Sequence, residues 1–310
     1  MLAANDIMDD PVEPLYGLSE NCCKPYNCAF WEHCSSHLPT PSVFDVYKIP
    51  FAKKIEYYND GIITYEDIAG TKEMGNHIRS LQINHSLSDL GTYVDKKGVK
   101  KFLSTLSFPL YFLDFETMQL PIPKFAGTKP YAQIPFQHSL HYLESPDGEL
   151  KHTEFLGISG EDPRRALAEQ LCRDIPKDVC TLAYNKGFEC GRIKELAESF
   201  PDLADRLLNI AEHIEDLIIP FRAGHYYNRA MGGSFSIKSV LPAIYPNDPS
   251  LDYHNLDGVH NGGEAMELFP KIKDLPIDEQ TVARHNLLKY CELDTYAMVK
   301  VWEELIRASK

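Results

Sequence analysis

The run YFLDFETM at residues 111–118 decides how this chain folds. It is short, apolar and rich in aromatics, as a buried strand is. Two acids interrupt it two positions apart, Asp114 and Glu116. On a strand such positions share a face, so both carboxylates project together while the Phe115 ring points the other way. Side by side they repel unless a cation lies between them, and hard divalent ions such as Mg²⁺ and Mn²⁺ take oxygen ligands of this kind. The alternative is a solvent-facing strand end with ordinary acids.

The flanking pattern supports a sheet. QIPFQHSLHYLE (133–144) and ELKHTEFLG (149–157) read as two strands joined by a hairpin turn at SPDG. A helix is expected from Pro163 to Arg173, then a buried strand at VCTLAYN (179–185). FECGRIKELAESF (188–200) is an amphipathic helix, followed by another to about Ile210. HIEDLIIPF (213–221) reads as partly extended, SIKSVLPAIY (236–245) and GGEAMELF (262–269) as helical, and Asp278 to about Ala308 as a long or broken closing helix. This order predicts an α/β class fold, a mixed sheet with helices on its faces. Upstream, residues 43–106 read mostly helical, with Thr64 capping a helix and Asp67 three residues on. The expected division is a poorly ordered stretch at 1–20, a cysteine-rich helical region at 21–108, and the sheet domain at 109–310.

Two further segments carry candidate chemistry. In YNKGFECGRIKEL (184–196), Asn185, Phe188 and Glu189 sit where a buried strand passes into a helix, the usual place for a site in α/β proteins. The plainer reading of Glu189 is a surface acid favoured by the helix dipole. In KYCELDTYAMVKVW (289–302), Tyr290 and Asp294 lie four apart and share a helix face. There the plainer reading is a packed tyrosine beside an exposed acid.

Taken together, Asp-x-Glu on a strand, Asn-x-x-Phe-Glu at a strand–helix junction and Tyr-x-x-x-Asp on a late helix resemble the DEDD (DnaQ-like) 3′–5′ exonuclease superfamily in its tyrosine subclass. The resemblance spans about 200 residues and implies a ribonuclease-H-like sheet. The second motif of that superfamily usually carries Asp; here Glu189 stands in its place. GGSFSIKSVLPAIYP (232–246) and LDGVHNGGEAMELF (256–269), with Asp216-Leu217 upstream, resemble an uncharacterised bacterial subfamily of the same group, a domain of unknown function. The resemblance implies a metal-dependent 3′–5′ exonuclease acting on single-stranded DNA or RNA with two Mg²⁺ or Mn²⁺ ions. Asp114 would bridge both ions, Glu116 and Asp294 would hold one, Glu189 would support the other, and Tyr290 would orient the attacking water. Asp216 falls where related exonucleases place a structural or sugar-proximal acid.

Candidate substrate contacts are the Phe115 backbone N–H, Asn185 and Lys238, the last in a Gly-rich turn where backbone can approach a phosphate. Lys186, Arg192 and Arg229 are further phosphate candidates, and Tyr226 and Tyr227 candidates for base stacking. Each has a plainer reading as a surface charge or core aromatic.

Of eight cysteines, Cys22, Cys23, Cys28 and Cys34 cluster, with His33 and His37 nearby. Grouped thiolates suit zinc or an iron–sulfur cluster. CCKPYNCAFWEHC (22–34) resembles the cysteine triplet of RecB-like iron–sulfur nucleases, but no cysteine lies upstream as the fourth ligand. Either the chain is a fragment or shortened relative, or Cys23 or a histidine completes the set, or the site is vestigial; the plainer reading is free thiols. Cys172, Cys180, Cys190 and Cys291 read as small core residues.

With 31 Lys+Arg against 45 Asp+Glu, a net charge of −14 argues against a nonspecific nucleic-acid coat but not against a carboxylate-based nuclease. The acidic N-terminus lacks a signal-peptide layout, and no apolar run is long enough to span a membrane. A cytoplasmic location without membrane association is expected. The competing functional reading is a catalytically degenerate nucleic-acid-binding or scaffolding module of the same fold.

Overall fold

The structure is a computed structural model that describes residues 9–12 and 17–310. The expectation of poor order at 1–20 falls, for residues 1–8 and 13–16, outside the described residues. The chain forms two compact units that divide between Gly91 and Thr92, so the second unit begins ahead of the expected start at Pro109.

The first unit contains short helices α1 (Trp31–Ser35), α2 (Phe51–Asn59), α3 (Tyr65–Ala69) and α4 (His77–Leu87). Thr64 caps α3 as the sequence suggests: its hydroxyl accepts from the Asp67 N–H, while the Asp67 carboxylate accepts from the Thr64 N–H. Val43, Val46, Ile49, Tyr57, Tyr65, Ile68 and Ile83 make the core. Gln82, buried within it, is satisfied by donating to the Asp45 carbonyl and Tyr65 hydroxyl and accepting from the Tyr47 N–H.

The second unit is a mixed α/β structure. After β1 (Tyr93–Val94) and α5 (Lys96–Leu103) come β2 (Leu110–Met118), β3 (Ile134–Leu143), β4 (Lys151–Leu156), α6 (Arg164–Asp174), β5 (Cys180–Ala183), α7 (Gly187–Ser199), α8 (Ala204–Glu212) and β6 (Ile214–Asp216). α9 (Ile219–Arg222), β7 (Tyr226–Tyr227), α10 (Ile237–Ile244), α11 (Gly262–Leu268) and α12 (Ile277–Ser309) complete it. Five strands form one sheet in the order β4-β3-β2-β5-β6. β2, β3 and β4 are antiparallel neighbours, whereas β5 runs parallel to β2 and β6 parallel to β5. The SPDG turn is present, with the Gly148 N–H donating to the Ser145 carbonyl.

The two faces of β2 have separate partners. Tyr111, Leu113 and Phe115 enter a core with Leu167 and Leu171 of α6, Ile193 and Leu196 of α7, and Leu207 and Ile210 of α8. Each such buried side chain contributes roughly 1.5–3 kcal/mol. On the other face Phe112 meets the edge of Trp302 on α12. α12 is also tied to β3: Gln137 donates to the Leu287 carbonyl at 2.8 Å, and Thr295 bonds both Ser139 at 2.7 Å and His141 at 2.8 Å. This closing helix is unbroken over 33 residues, which lets one rigid element cross the sheet and reach the end where the acids lie.

Because β5 pairs with β2 only over Leu110–Phe112, β2 runs on past the carboxyl end of β5. Asp114 and Glu116 lie in that overhang, beside the turn that leads from β5 into α7. The β2–β3 register shifts between Glu116 and Thr117, a bulge of the kind that re-aims side chains next to a site.

Candidate functional site

Three separate segments converge at this end of the sheet. Asp114 and Glu116 come from β2, Glu189 from the first turn of α7, and Tyr290 and Asp294 from α12. Glu116 and Asp294 are each 8% exposed and Glu189 only 2%. Burial with like charges alongside pushes the carboxyls upward: Glu116 to about 8 with Asp294 as the neighbouring charge, and Asp294 to about 6 although hydrogen bonds and Lys238 oppose the rise. Asp114 is raised well above its ordinary value by desolvation, then by Asp294, Glu116 and Glu189. Burial, then Asp216, raises Glu189 to about 8. One of its oxygens, Oε2, is buried without a hydrogen-bond partner.

A second layer of contacts fixes these acids. The Tyr253 hydroxyl donates to Asp294 Oδ1 at 2.7 Å, and Tyr290 also hydrogen-bonds Asp294. Lys238 Nζ donates to the Tyr290 hydroxyl at 3.0 Å and stands over the Tyr253 and Tyr290 rings, 4.8 and 5.0 Å from their centroids. Its charge favours the ionised forms of Asp114, Glu116 and Asp294. Gly262, at the start of α11, walls the site: a Cβ there would stand 3.5 Å from Glu116 Oε2 and 4.0 Å from the Tyr290 hydroxyl. Cys291 is fully buried, and its thiol faces Asp114 Oδ2 at 3.9 Å. Burial raises that thiol well above its ordinary range, which keeps it protonated while no ion is bound.

This set suits a divalent metal. It offers several carboxylate oxygens, few hydrogen bonds to quench them, and an orphaned buried oxygen on Glu189. Asp114, Glu116, Glu189 and Asp294 would hold such ions. Tyr253, Gly262 and Cys291 were missed in the sequence. Tyr253, in a short 3-10 turn, and Gly262, at the start of α11, come from segments with no spacing relation to the acids, but Cys291 follows Tyr290 and precedes Asp294 by three, so helical spacing alone places it on or beside their face.

The other expected contacts are placed differently. The Phe115 ring lies in the core with its edge toward His138, pointing away from the acids as expected. Asn185 has a left-handed backbone (φ 69°). Its N–H donates to Asp216 Oδ1 and its side-chain oxygen accepts from Arg222, so the Asn185–Asp216 pair shapes the turn into α7. Lys186 donates to the Ile214 carbonyl, and Arg192 is held by Gln133 and Glu195. Arg229 is exposed in the turn after β7. Tyr226 and Tyr227 correct an expectation. Both rings are sealed in the interior, with hydroxyls bonded to Glu304 and the Gly232 carbonyl, and present no face to a base.

In the first unit, Cys22 and Cys23 are half-buried while Cys28 and Cys34 are exposed. His37 bonds the Tyr58 hydroxyl, and Trp31 packs edge-on against Phe44 and Phe51. Among the described residues the Cys and His ligand atoms here form no group of three within 4.8 Å; Asp114, Glu116 and Cys291 do.

Residues 111–236 match a family described as a domain of unknown function, DUF2779. That match takes in Asp114, Glu116 and Glu189 but stops short of Tyr290 and Asp294. An uncharacterized protein of Ureaplasma parvum serovar 3 is 28% identical over 231 residues, covering 66% of this chain and 32% of that protein. The chain thus spans about a third of that relative's length. No solved structure matches it. Among the described residues no helix is long and apolar enough to cross a membrane.

Proposed function

We propose that the second unit is a ribonuclease-H-like, metal-dependent 3′–5′ exonuclease that hydrolyses phosphodiester bonds of single-stranded DNA or RNA. One observation carries this reading: Glu116, Glu189 and Asp294 are buried and Asp114 half-buried beside them, from three elements far apart in sequence, with the carboxyls pushed upward. Folding carboxylates against one another in this way is costly, and a pair of divalent cations would offset that cost. The mixed five-stranded sheet, with Asp114 and Glu116 on the part of its central strand β2 that runs past the carboxyl end of β5, agrees with the DEDD resemblance.

Two Mg²⁺ or Mn²⁺ ions, when bound, would clamp the scissile phosphate and activate water. Asp294, Glu116 and Glu189 all act on Asp114, so Asp114 is the carboxylate that would serve both ions. Tyr290, whose hydroxyl is pushed further toward its neutral form by burial and by Asp294, orients water and does not deprotonate it. Lys238 brings a fixed positive charge to the rim of an acidic site, where a substrate phosphate can meet it. Glu189 reaches from α7 with one methylene more than an aspartate, and its free Oε2 is available to an ion.

The test is incubation of the full chain with 5′-labelled single-stranded DNA and RNA in Mn²⁺, Mg²⁺ or EDTA, beside Asp114→Ala. Stepwise shortening that needs metal and vanishes in the variant is the expected result. No shortening of either strand, together with no Mn²⁺ binding, overturns the proposal and leaves a binding module of the same fold.

A further inference from the structure

We infer that Asp114, Glu116 and Cys291 form a site for a thiophilic divalent cation of the Zn²⁺ class, which competes with hard ions at the same centre. The inference shares Asp114 and Glu116 with the proposed nuclease centre, and adds a sulfur ligand that the two-ion reading does not use.

Three observations carry it. One ligand atom from each residue lies within 4.8 Å of the other two. Cys291 has no solvent exposure, and its thiol faces Asp114 Oδ2 at 3.9 Å instead of packing among apolar side chains alone. Glu116, 8% exposed, is influenced only by burial and by charges, with no hydrogen bond among the groups that act on it. A carboxylate this deeply buried without a partner is costly, and Glu116 is aimed at the other two ligands.

The chemistry follows from the donor set. Zn²⁺ accepts cysteine sulfur and carboxylate oxygen, and in open sites takes three protein ligands while keeping a fourth position for water or substrate. Mg²⁺ gains nothing from sulfur, whereas thiolate selects softer ions. On binding, the metal–sulfur bond forms as the S–H bond breaks, and the proton passes to solvent. A Zn²⁺ ion so held occupies the ligands that the hard pair needs, so Zn²⁺ inhibits metal-dependent cleavage.

The test uses the full chain stripped with EDTA and titrated with Co²⁺, a spectroscopic stand-in for Zn²⁺ whose bond to thiolate gives charge-transfer absorption in the near ultraviolet. Cys22, Cys23, Cys28 and Cys34 are first replaced by Ser to remove background thiols. In that background a sulfur–cobalt band saturating at one equivalent is expected, and Cys291→Ser should abolish it. Zn²⁺ affinity should fall by roughly 100-fold or more, as befits loss of a direct ligand, while Mn²⁺ affinity stays within about threefold. A band untouched by Cys291→Ser, or none at all, overturns the inference. Should Cys291→Ser fail to fold, Glu116→Gln keeps the thiol and must weaken Co²⁺ binding; unchanged Co²⁺ binding there is equally fatal. Mn²⁺ binding without a sulfur–cobalt band removes this inference alone, whereas a cobalt band without Mn²⁺ binding or cleavage removes the nuclease reading alone.

Discussion

Replacing Glu189 by Gln should make the metal-free protein more stable, and increasingly so as pH rises. Glu189 is 2% exposed, lacks a partner for Oε2, and has its carboxyl raised from 4.5 to about 8 by burial and by Asp216. Because the folded value lies above the unfolded one, the native carboxyl keeps its full contribution below about pH 4.5. It loses that contribution progressively until about pH 8, where the loss levels off. At about 1.36 kcal/mol for each pH unit crossed, the native protein gives up about 2 kcal/mol by pH 6. By pH 8 it gives up about 5 kcal/mol, before local hydration relieves part of it. Gln has no charge to bury and loses none of this.

The assay is thermal unfolding in EDTA at intervals from pH 5 to 9. About 2–4 °C of Tm per kcal/mol is expected for a unit of this size. The variant should therefore stand about 4–8 °C above the native protein near pH 6, with the gap widening to pH 8 and flat beyond. Saturating Mn²⁺ should reverse the order, because an ion bound only to the folded state stabilises the chain that binds it better. A gap in EDTA that does not change between pH 5 and 8 would falsify the claim that Glu189 is buried at the cost of its charge. Without that cost the acid cluster loses its main argument for a cation.

Two other perturbations probe the layer around the acids. Tyr253→Phe removes the hydroxyl that holds Asp294 Oδ1 while keeping the ring; Mn²⁺ affinity, read by water-proton relaxation, should fall about tenfold, and an unchanged affinity would show that Asp294 needs no such support. Lys238→Met removes the cation that faces Tyr290; binding of single-stranded DNA in Ca²⁺ should weaken, with the salt dependence reduced by about one counterion, and an unaltered salt slope would place Lys238 away from the phosphate.

What the sequence made legible is what short-range geometry controls. Asp114 and Glu116 share a face because strand side chains repeat every two residues, and Tyr290 and Asp294 because helix side chains return after four. Thr64 with Asp67 and the SPDG turn are local hydrogen-bond patterns, visible in the residues that make them. Glu189 became readable only through its order after the first acid pair. For Tyr226 and Tyr227 the sequence left both readings open because exposure is not a local property: the same two rings would suit base stacking on a surface, and here both are buried, with Tyr226 bonded to Glu304 of α12. Cys291 was passed over for the opposite reason. A buried cysteine is ordinarily core, and only the seating of α12 against β2 gives this sulfur Asp114 as a carboxylate neighbour. The bulge falls between Glu116 and Thr117, against Pro135 and Gln137, while Ser139, His141 and Thr295 pin α12 across the sheet. Those buried polar contacts hold one helix face over the end of β2, so they set which of Tyr290, Cys291 and Asp294 an ion could meet. On the proposed reading, the metal preference of the centre would follow from how α12 is seated as much as from the acids themselves.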